Sequence, residues 1–454
     1  MFDAAVAPIL AAARRVGLPV TATAPFCPSE VNGTVVTPRG ATFWQRVRLS
    51  LGPGLLVAVG YMDPGNWTTN LQGGARLGGG LAAVVVLSGL VAIGFQLLAA
   101  RLGIAAGTDL AVTIRRRWGR AVSLPLWLAM EAAIIATDVA EVLGAAVALQ
   151  ILFRLPLAAG VIVTSLDVFL VLGLKGAGFR RVEAIILGLI AMIMGALAVN
   201  LALIGGPWGE TLEQASHPLD ALQAPQGVFL ALGIVGATLM PHNLFLHSSV
   251  VGTRRDEGGD TARTARWAAA DTVVTLGLAV FVNLGLLALA AAAFHANGIG
   301  DIAGLQEATH TIAGGEAGGG TAARVAATLF ALGLLASGLS STFTGTIVGQ
   351  VVMEGFLELK IPCWLRRVVT RGLALVPALA GILWLGEGGV GDLLEGSQVI
   401  LALLLPAALA PLILVSGDRG VMGRLAAPRW VLAVAWMLFA GLLAANGVLM
   451  AAGG

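Results

Sequence analysis

Eleven stretches of the chain are apolar for long enough to cross a bilayer. They fall at about 50–77, 80–102, 122–149, 156–175, 181–205, 226–252, 267–293, 322–347, 367–386, 391–415 and 428–450. Each is close to or above the roughly 20 residues that a spanning helix requires. Two of the stretches are interrupted. The first carries Asp63-Pro64-Gly65-Asn66 and the sixth carries Met240-Pro241-His242-Asn243. Proline removes a backbone donor and disturbs the preceding turn. Inside a bilayer the carbonyls freed in this way must face protein, water or a ligand. Stepping from the first span to the sixth reverses direction an odd number of times, so the two broken helices run in opposite directions. The pattern predicts an all-α polytopic membrane protein built as an inverted five-plus-five repeat. Its first repeat covers about 50–205 and its second about 226–415, and an eleventh helix at about 428–450 lies outside the repeat.

The loops orient the chain. Arg39, Arg46 and Arg48 precede the first span, and Arg115, Arg116, Arg117 and Arg120 follow the second. Lys175, Arg180 and Arg181 link the fourth and fifth. Arg254, Arg255, Arg263 and Arg266 follow the sixth, Lys360, Arg366 and Arg367 the eighth, and Arg419, Arg424 and Arg429 the tenth. The alternate loops at 208–227, 296–321 and 387–396 contain acids but no Lys or Arg. Positive residues stay on the cytoplasmic side. The expected arrangement is a multi-pass protein of the cell (inner) membrane with its N-terminus inside and its C-terminus outside. Residues 1–45 read as a poorly ordered cytoplasmic tail, and 46–454 as the membrane domain. The apolar start of the tail is too short to span, and Arg14 and Arg15 follow it rather than precede it, unlike a secretory signal.

Composition agrees. Hydrophobic residues make up 57% and charged residues 11% of the 454 positions, against roughly 25% charged in a soluble domain. A net charge of +2 gives no reason to expect nucleic acid, and no obligate protein partner is evident. Cys27 and Cys363 form neither a metal-ligand spacing nor a disulfide framework.

The polar residues within the spans carry the candidate chemistry. A mid-span carboxylate such as Asp63 costs roughly 2.5–3.5 kcal/mol on insertion scales and needs a partner, whether an ion, a salt bridge or a helix end. Asn66 lies across the break and offers an amide oxygen to the same point, or caps the second half-helix. Met240, which elsewhere would be core filler, adjoins the second break, where the Ala237 carbonyl is the best placed to be freed. A carboxylate, an amide oxygen, a carbonyl and a thioether form a mixed hard and soft set. Sulfur disfavours Mg²⁺ and Ca²⁺ relative to Mn²⁺, Fe²⁺, Co²⁺ or Cd²⁺. Glu131, Asp138 and Glu141 share one face of the third span, as a titratable path or as a structural network. Arg371, early in the ninth span, is the expected basic partner. His242 and His247 on the inner half of the sixth span suit proton relay, although an isolated histidine also serves as packing.

These motifs resemble the natural resistance-associated macrophage protein (Nramp) family of proton-coupled divalent metal transporters. The resemblance rests on Gly60-Tyr61-Met62-Asp63-Pro64-Gly65-Asn66, on Gly236-Ala237-Thr238-Leu239-Met240-Pro241-His242-Asn243 with His247-Ser248, and on Thr137-Asp138-Val139-Ala140-Glu141. It extends to Ala336-Ser337-Gly338 with Ser340-Ser341-Thr342, and to Met353-Glu354-Gly355-Phe356. It implies a leucine-transporter-like fold and symport of Mn²⁺, or also Fe²⁺, Co²⁺ and Cd²⁺, with protons; these ions are cargo and no cofactor is implied. It also implies Asp63, Asn66, the Ala237 carbonyl and Met240 as metal ligands, with Gln398 joining in some states. Asp138, Glu141, His242 and Arg371 are implied as a proton network. Leu339 and Leu404 stand where members commonly carry Gln. The competing readings are an amino-acid or other solute transporter of the same architecture, and a metal channel. An enzyme is disfavoured, because no nucleophile–base pair or His-rich motif appears.

Overall fold

The computed structural model describes residues 32–167, 179–205, 208–224, 226–300, 305–312, 320–359 and 361–451. Among them, nine helices are long and apolar enough to cross a membrane. The first span is divided into Pro53–Gly60 and Pro64–Leu77, each half too short to count alone. The fourth is described only over Leu157–Asp167, so the rest of that expected span and Lys175 lie outside the described residues.

The second, third and fifth spans are Ala82–Ala106, Arg120–Phe153 and Phe179–Ile204. The sixth is Gly227–Leu239 followed by Pro241–Val250. The seventh to eleventh are Thr261–Ala293, Thr321–Leu357, Cys363–Leu385, Val390–Gly417 and Arg429–Ala451. Burial ranks them from centre to rim. Every residue of Pro53–Gly60 and Pro241–Val250 is buried, whereas the eleventh span buries only Ala435, Asn446 and Leu449. The broken helices thus form the axis of the molecule. The most extensive helix pairing joins the third and eighth spans, which hold equivalent positions in the two repeats.

The tail departs from expectation. From Gly33 onward it is tied down. β1 (Val35–Thr37) runs parallel to β2 (Arg254–Asp256), with Val36 opposite Arg255, and Gly33 N donates to Gly252 O at 2.9 Å. Thr42 and Gln45 then form a reciprocal cap for helix Phe43–Ser50, so the tail boundary expected at residue 45 falls inside a helix. Residues 1–31 lie outside the described residues. The exposed Phe43 and Trp44 beside Trp267 suit a membrane interface.

The start of the first span is held by charge. Leu51 O accepts from Arg180 Nη1 at 2.9 Å and from Arg254 Nη2 at 2.8 Å, and Glu183 pairs with both arginines. Asp271 accepts from Gly54 N at 2.7 Å and Gly52 N at 3.4 Å. Gly52 has φ of 149°, and a Cβ there would lie 2.1 Å from Arg254 Nη2 and Glu183 Oε1. Gly52→Ala should therefore destabilise the protein by about 1–3 kcal/mol, read as a lower apparent Tm of the purified protein in detergent. An unchanged Tm would contradict the account of this cluster.

Candidate metal and proton site

The two breaks meet at the centre. The first is made by Asp63, which leaves helical geometry at φ −69°, ψ 167° and caps the second half-helix, its Oδ1 accepting from Asn66 N at 2.9 Å. Pro64 follows at the first helical position, where its missing donor costs nothing. The sixth span breaks at a single residue, Met240, with Pro241 again at the first helical position. A Cβ on Gly65 would sit 2.1 Å from Gln398 Nε2, so only glycine lets the tenth span's Gln398 approach the first break this closely.

Side chains replace the lost helical bonds. Tyr61 O accepts from Asn283 Nδ2 at 2.9 Å, and Met62 O accepts from Ser337 Oγ at 2.6 Å and Trp67 Nε1 at 3.2 Å. The Asn66 amide nitrogen stands where three oxygens converge: Asp63 Oδ1 at 2.7 Å, Ala237 O at 3.0 Å and Gly60 O at 3.3 Å. Met240 is fully buried against Ala133, Ala136, Leu401 and Leu404, and its sulfur accepts from Asn243 Nδ2 at 3.5 Å. Leu404 thus gives the thioether an apolar backing, while Leu339 lies outside the cleft described next.

A cleft with about 10 Å³ of free volume, on the order of one water molecule, joins the breaks to the third and eighth spans. Asp63, Met240, Asp138, Glu141, His242 and Ser341 border it. Asp63 Oδ2, Asp138 Oδ2, His242 Nδ1 and Ser341 Oγ are all buried with no hydrogen-bond partner. Orphaned buried polar atoms are rare in folded proteins and point to a water or an ion. Among the described residues, no three His, Cys, Asp or Glu side chains cluster as a metal-ligand set. At the breaks themselves one carboxylate, Asp63, stands beside the Asn66 amide, the Ala237 carbonyl and the Met240 thioether.

Arginines of the ninth span face the third-span acids. Arg367 Nη1 lies 2.7 Å from Asp138 Oδ1, and Arg367 Nη2 lies 3.2 Å from Glu141 Oε2. Arg371 Nη2 lies 2.9 Å from Glu141 Oε2 and 2.8 Å from Thr342 Oγ1, and its Nη1 lies 3.4 Å from Asp138 Oδ1. Glu131 is set apart from this quartet, bonded to Arg366 at 2.7 Å and to Trp127 at 3.1 Å. Arg371 is a partner as expected. Arg366 and Arg367, counted among the loop charges, are instead buried in the bundle. The available signal was their spacing, since Arg367 and Arg371 share a helix face.

His247 is not brought into this network. Its Nδ1 bonds Gln96 Oε1 at 2.9 Å and its Nε2 bonds Thr272 Oγ1 at 3.4 Å, while Gln96 Nε2 donates to the Tyr61 hydroxyl at 2.9 Å. The ring is a satisfied packing residue between the second and seventh spans, a correction to its placement on the acidic path.

The architecture and the paired breaks define a membrane transporter of the leucine-transporter-like class rather than an enzyme. Residues 54–452 match the family model described as natural resistance-associated macrophage protein-like, and the chain belongs to that family. It is 51% identical over 438 residues to the divalent metal cation transporter MntH 1 of Pseudomonas aeruginosa, covering 95% of this chain and 98% of that protein. A variant of the Eremococcus coleocola manganese transporter superposes with a TM-score of 0.82 at 37% identity, covering 93% of this chain and 90% of the other. MhsT in complex with L-phenylalanine shares the fold alone, at 15% identity, 87% and 98% coverage and a TM-score of 0.60.

Breaking a buried ion pair from one side costs about 3–5 kcal/mol, because a charge is left uncompensated. Arg367→Gln should lower stability by that order, and Glu141→Gln added to it should recover part of the loss by restoring neutrality. Thermal unfolding that shows the double variant no more stable than Arg367→Gln alone would contradict this account of the quartet.

Proposed function

We propose that the chain imports divalent transition metal ions, Mn²⁺ foremost with Fe²⁺, Co²⁺ and Cd²⁺ as further cargo. Import occurs in symport with protons, by alternating access across the cell (inner) membrane, with the N-terminus cytoplasmic and the C-terminus outside. The observation that carries this reading is the cleft whose orphaned oxygens and nitrogen run from Asp63 at the breaks to Asp138 and His242. An entering cation takes the place of the Asn66 amide nitrogen, and the amide turns to offer its oxygen. Asp63, Asn66, the Ala237 carbonyl and Met240 then supply the first ligands, with Gln398 beside Gly65 placed to join them. The thioether biases the set against the hard alkaline-earth ions. Asp138, Glu141 and His242 continue from the metal along the same cleft, with Arg367 and Arg371 paired to the two acids, and this is the route assigned to the proton, with Glu131 and Arg366 beyond it.

The MntH and manganese-transporter names of the relatives support this choice of cargo. An amino-acid substrate fits poorly, since the Asp63 carboxylate at the break would repel a substrate carboxylate.

In proteoliposomes with an inward proton gradient, Mn²⁺ uptake should be accelerated by the gradient and lost on Asp63→Ala, with the variant still purifying as a folded protein. Glu141→Gln should uncouple the two fluxes, leaving metal uptake less sensitive to external pH. Near-normal uptake by Asp63→Ala would refute the site assignment, and an unaltered pH profile in Glu141→Gln would remove that residue from the proton route.

A further inference from the structure

The face of the fifth span that turns away from the bundle is headed by an arginine. Arg181, Ala184, Ile185, Gly188, Met192 and Gly195 are all exposed, whereas Val182, Ile186 and Ile193 are buried. Steps of three and four residues put the first set on one side of the helix. From Ala184 to Gly195 this apolar face runs about 16 Å along the helix axis. That is close to half of the roughly 30 Å hydrocarbon core, the depth of one leaflet. Arg181 therefore stands where the headgroups of that leaflet begin.

A second arginine stands at the same elbow. Helix Phe43–Ser50 turns Trp44 and Arg48 outward, one turn apart on one face, with Trp44 76% exposed. An indole in such a position marks the headgroup depth. The helix is anchored at both ends. Phe43 packs on Trp267 with ring centroids 5.7 Å apart, and Arg180 Nη2 donates to Arg48 O at 2.8 Å. Arg180 precedes Arg181 in the chain, so its bond brings the end of this helix to the start of the fifth span. Leu51 O accepts from the same guanidinium, which sets the elbow at the entrance to the first broken span.

The other charges of the elbow are matched within the protein. Arg180 and Arg254 share Glu183, and Arg46 lies 3.8 Å from Asp256. Arg48 and Arg181 instead stand exposed beside an apolar surface one leaflet deep. This pairing of positive charge with a chain-length apolar face is complementary to an anionic lipid.

We propose that the elbow binds an anionic phospholipid, with the headgroup phosphate between Arg48 and Arg181 and an acyl chain along the exposed face of the fifth span. Each arginine near a membrane surface strengthens the attraction to anionic lipid by about fivefold. A zwitterionic headgroup carries its own ammonium and gains little from them. A second copy of the chain suits the face less well, because a two-fold axis along the membrane normal sets Arg181 against its own counterpart. None of these residues borders the cleft around Asp63, so the proposal stands apart from the metal reading.

The test is native mass spectrometry of the full-length protein after equilibration in detergent with equal amounts of phosphatidylglycerol and phosphatidylcholine. Phosphatidylglycerol adducts should exceed phosphatidylcholine adducts by at least tenfold. Arg48→Gln combined with Arg181→Gln should bring the ratio near one, while Arg48→Lys combined with Arg181→Lys should keep most of the preference. Arg120→Gln combined with Arg424→Gln removes the same charge from two other exposed arginines on the arginine-rich side and should leave the ratio unchanged. Equal retention of the two lipids by the unaltered protein would overturn the proposal. An equal fall in both glutamine double variants would overturn it as well, since the preference would then follow net charge rather than this elbow. A lipid-free dimer lost on Arg48→Gln with Arg181→Gln would assign the face to a second copy instead.

Discussion

The rest of this structure depends on one constraint: backbone groups freed inside a bilayer must be satisfied by something. Breaking two spans at mid-depth exposes carbonyls that water cannot reach, each costing several kcal/mol if left alone. The fold answers with four side chains from three spans. Asn283 of the seventh span, Ser337 of the eighth, and Trp67 and Asn66 of the first take up Gly60, Tyr61, Met62 and Ala237 oxygens. Two breaks in contact therefore cannot exist as a local feature. They require the surrounding spans at fixed register, and this is why the halves of the broken helices are among the most completely buried segments.

The same economy governs charge. Asp138 and Glu141 are balanced by Arg367 and Arg371, two against two, with all four side chains at most 4% exposed. A neutral quartet can be buried at tolerable cost, yet changing the protonation of one acid unbalances the whole. Among the described residues, no basic side chain pairs with Asp63. It has a cap to make with Oδ1 and an unbonded Oδ2, which leaves it as the group in the cleft most in need of a cation. The structural role of Asp63 as a helix cap and its proposed role as a ligand are compatible, because Oδ1 can keep the Asn66 N–H while it faces the position of the Asn66 amide nitrogen, and Oδ2 has no hydrogen-bond partner among the described residues.

Much of this arrangement could be read from the sequence, and the parts that could not share a physical cause. Proline flanked by Asp, Asn or Met in an apolar run is a loud signal, and the residues it marks do come together. The odd number of steps from the first span to the sixth set their antiparallel relation. Arg366 and Arg367 were misplaced because counting positive charges at span ends cannot tell a snorkelling arginine from one that turns inward to an acid. Asn283 and Gln96 were silent, since a lone polar residue in an apolar helix has no spacing to betray its partner. His247 looked like its neighbour His242 in sequence, yet it faces the second and seventh spans. A three-residue strand such as Val35–Thr37 is too short to show a period, so the ordered part of the tail was invisible.

The central claim is that the two breaks together form a mixed oxygen and thioether cation site. X-ray absorption at the cadmium edge on the Cd²⁺-loaded protein tests it most directly, because sulfur and oxygen neighbours scatter differently. The account predicts a first shell dominated by oxygen with one sulfur, and loss of that sulfur in Met240→Leu while Cd²⁺ still binds more weakly. An all-oxygen shell in the unaltered protein, or a sulfur that persists in Met240→Leu, would contradict it.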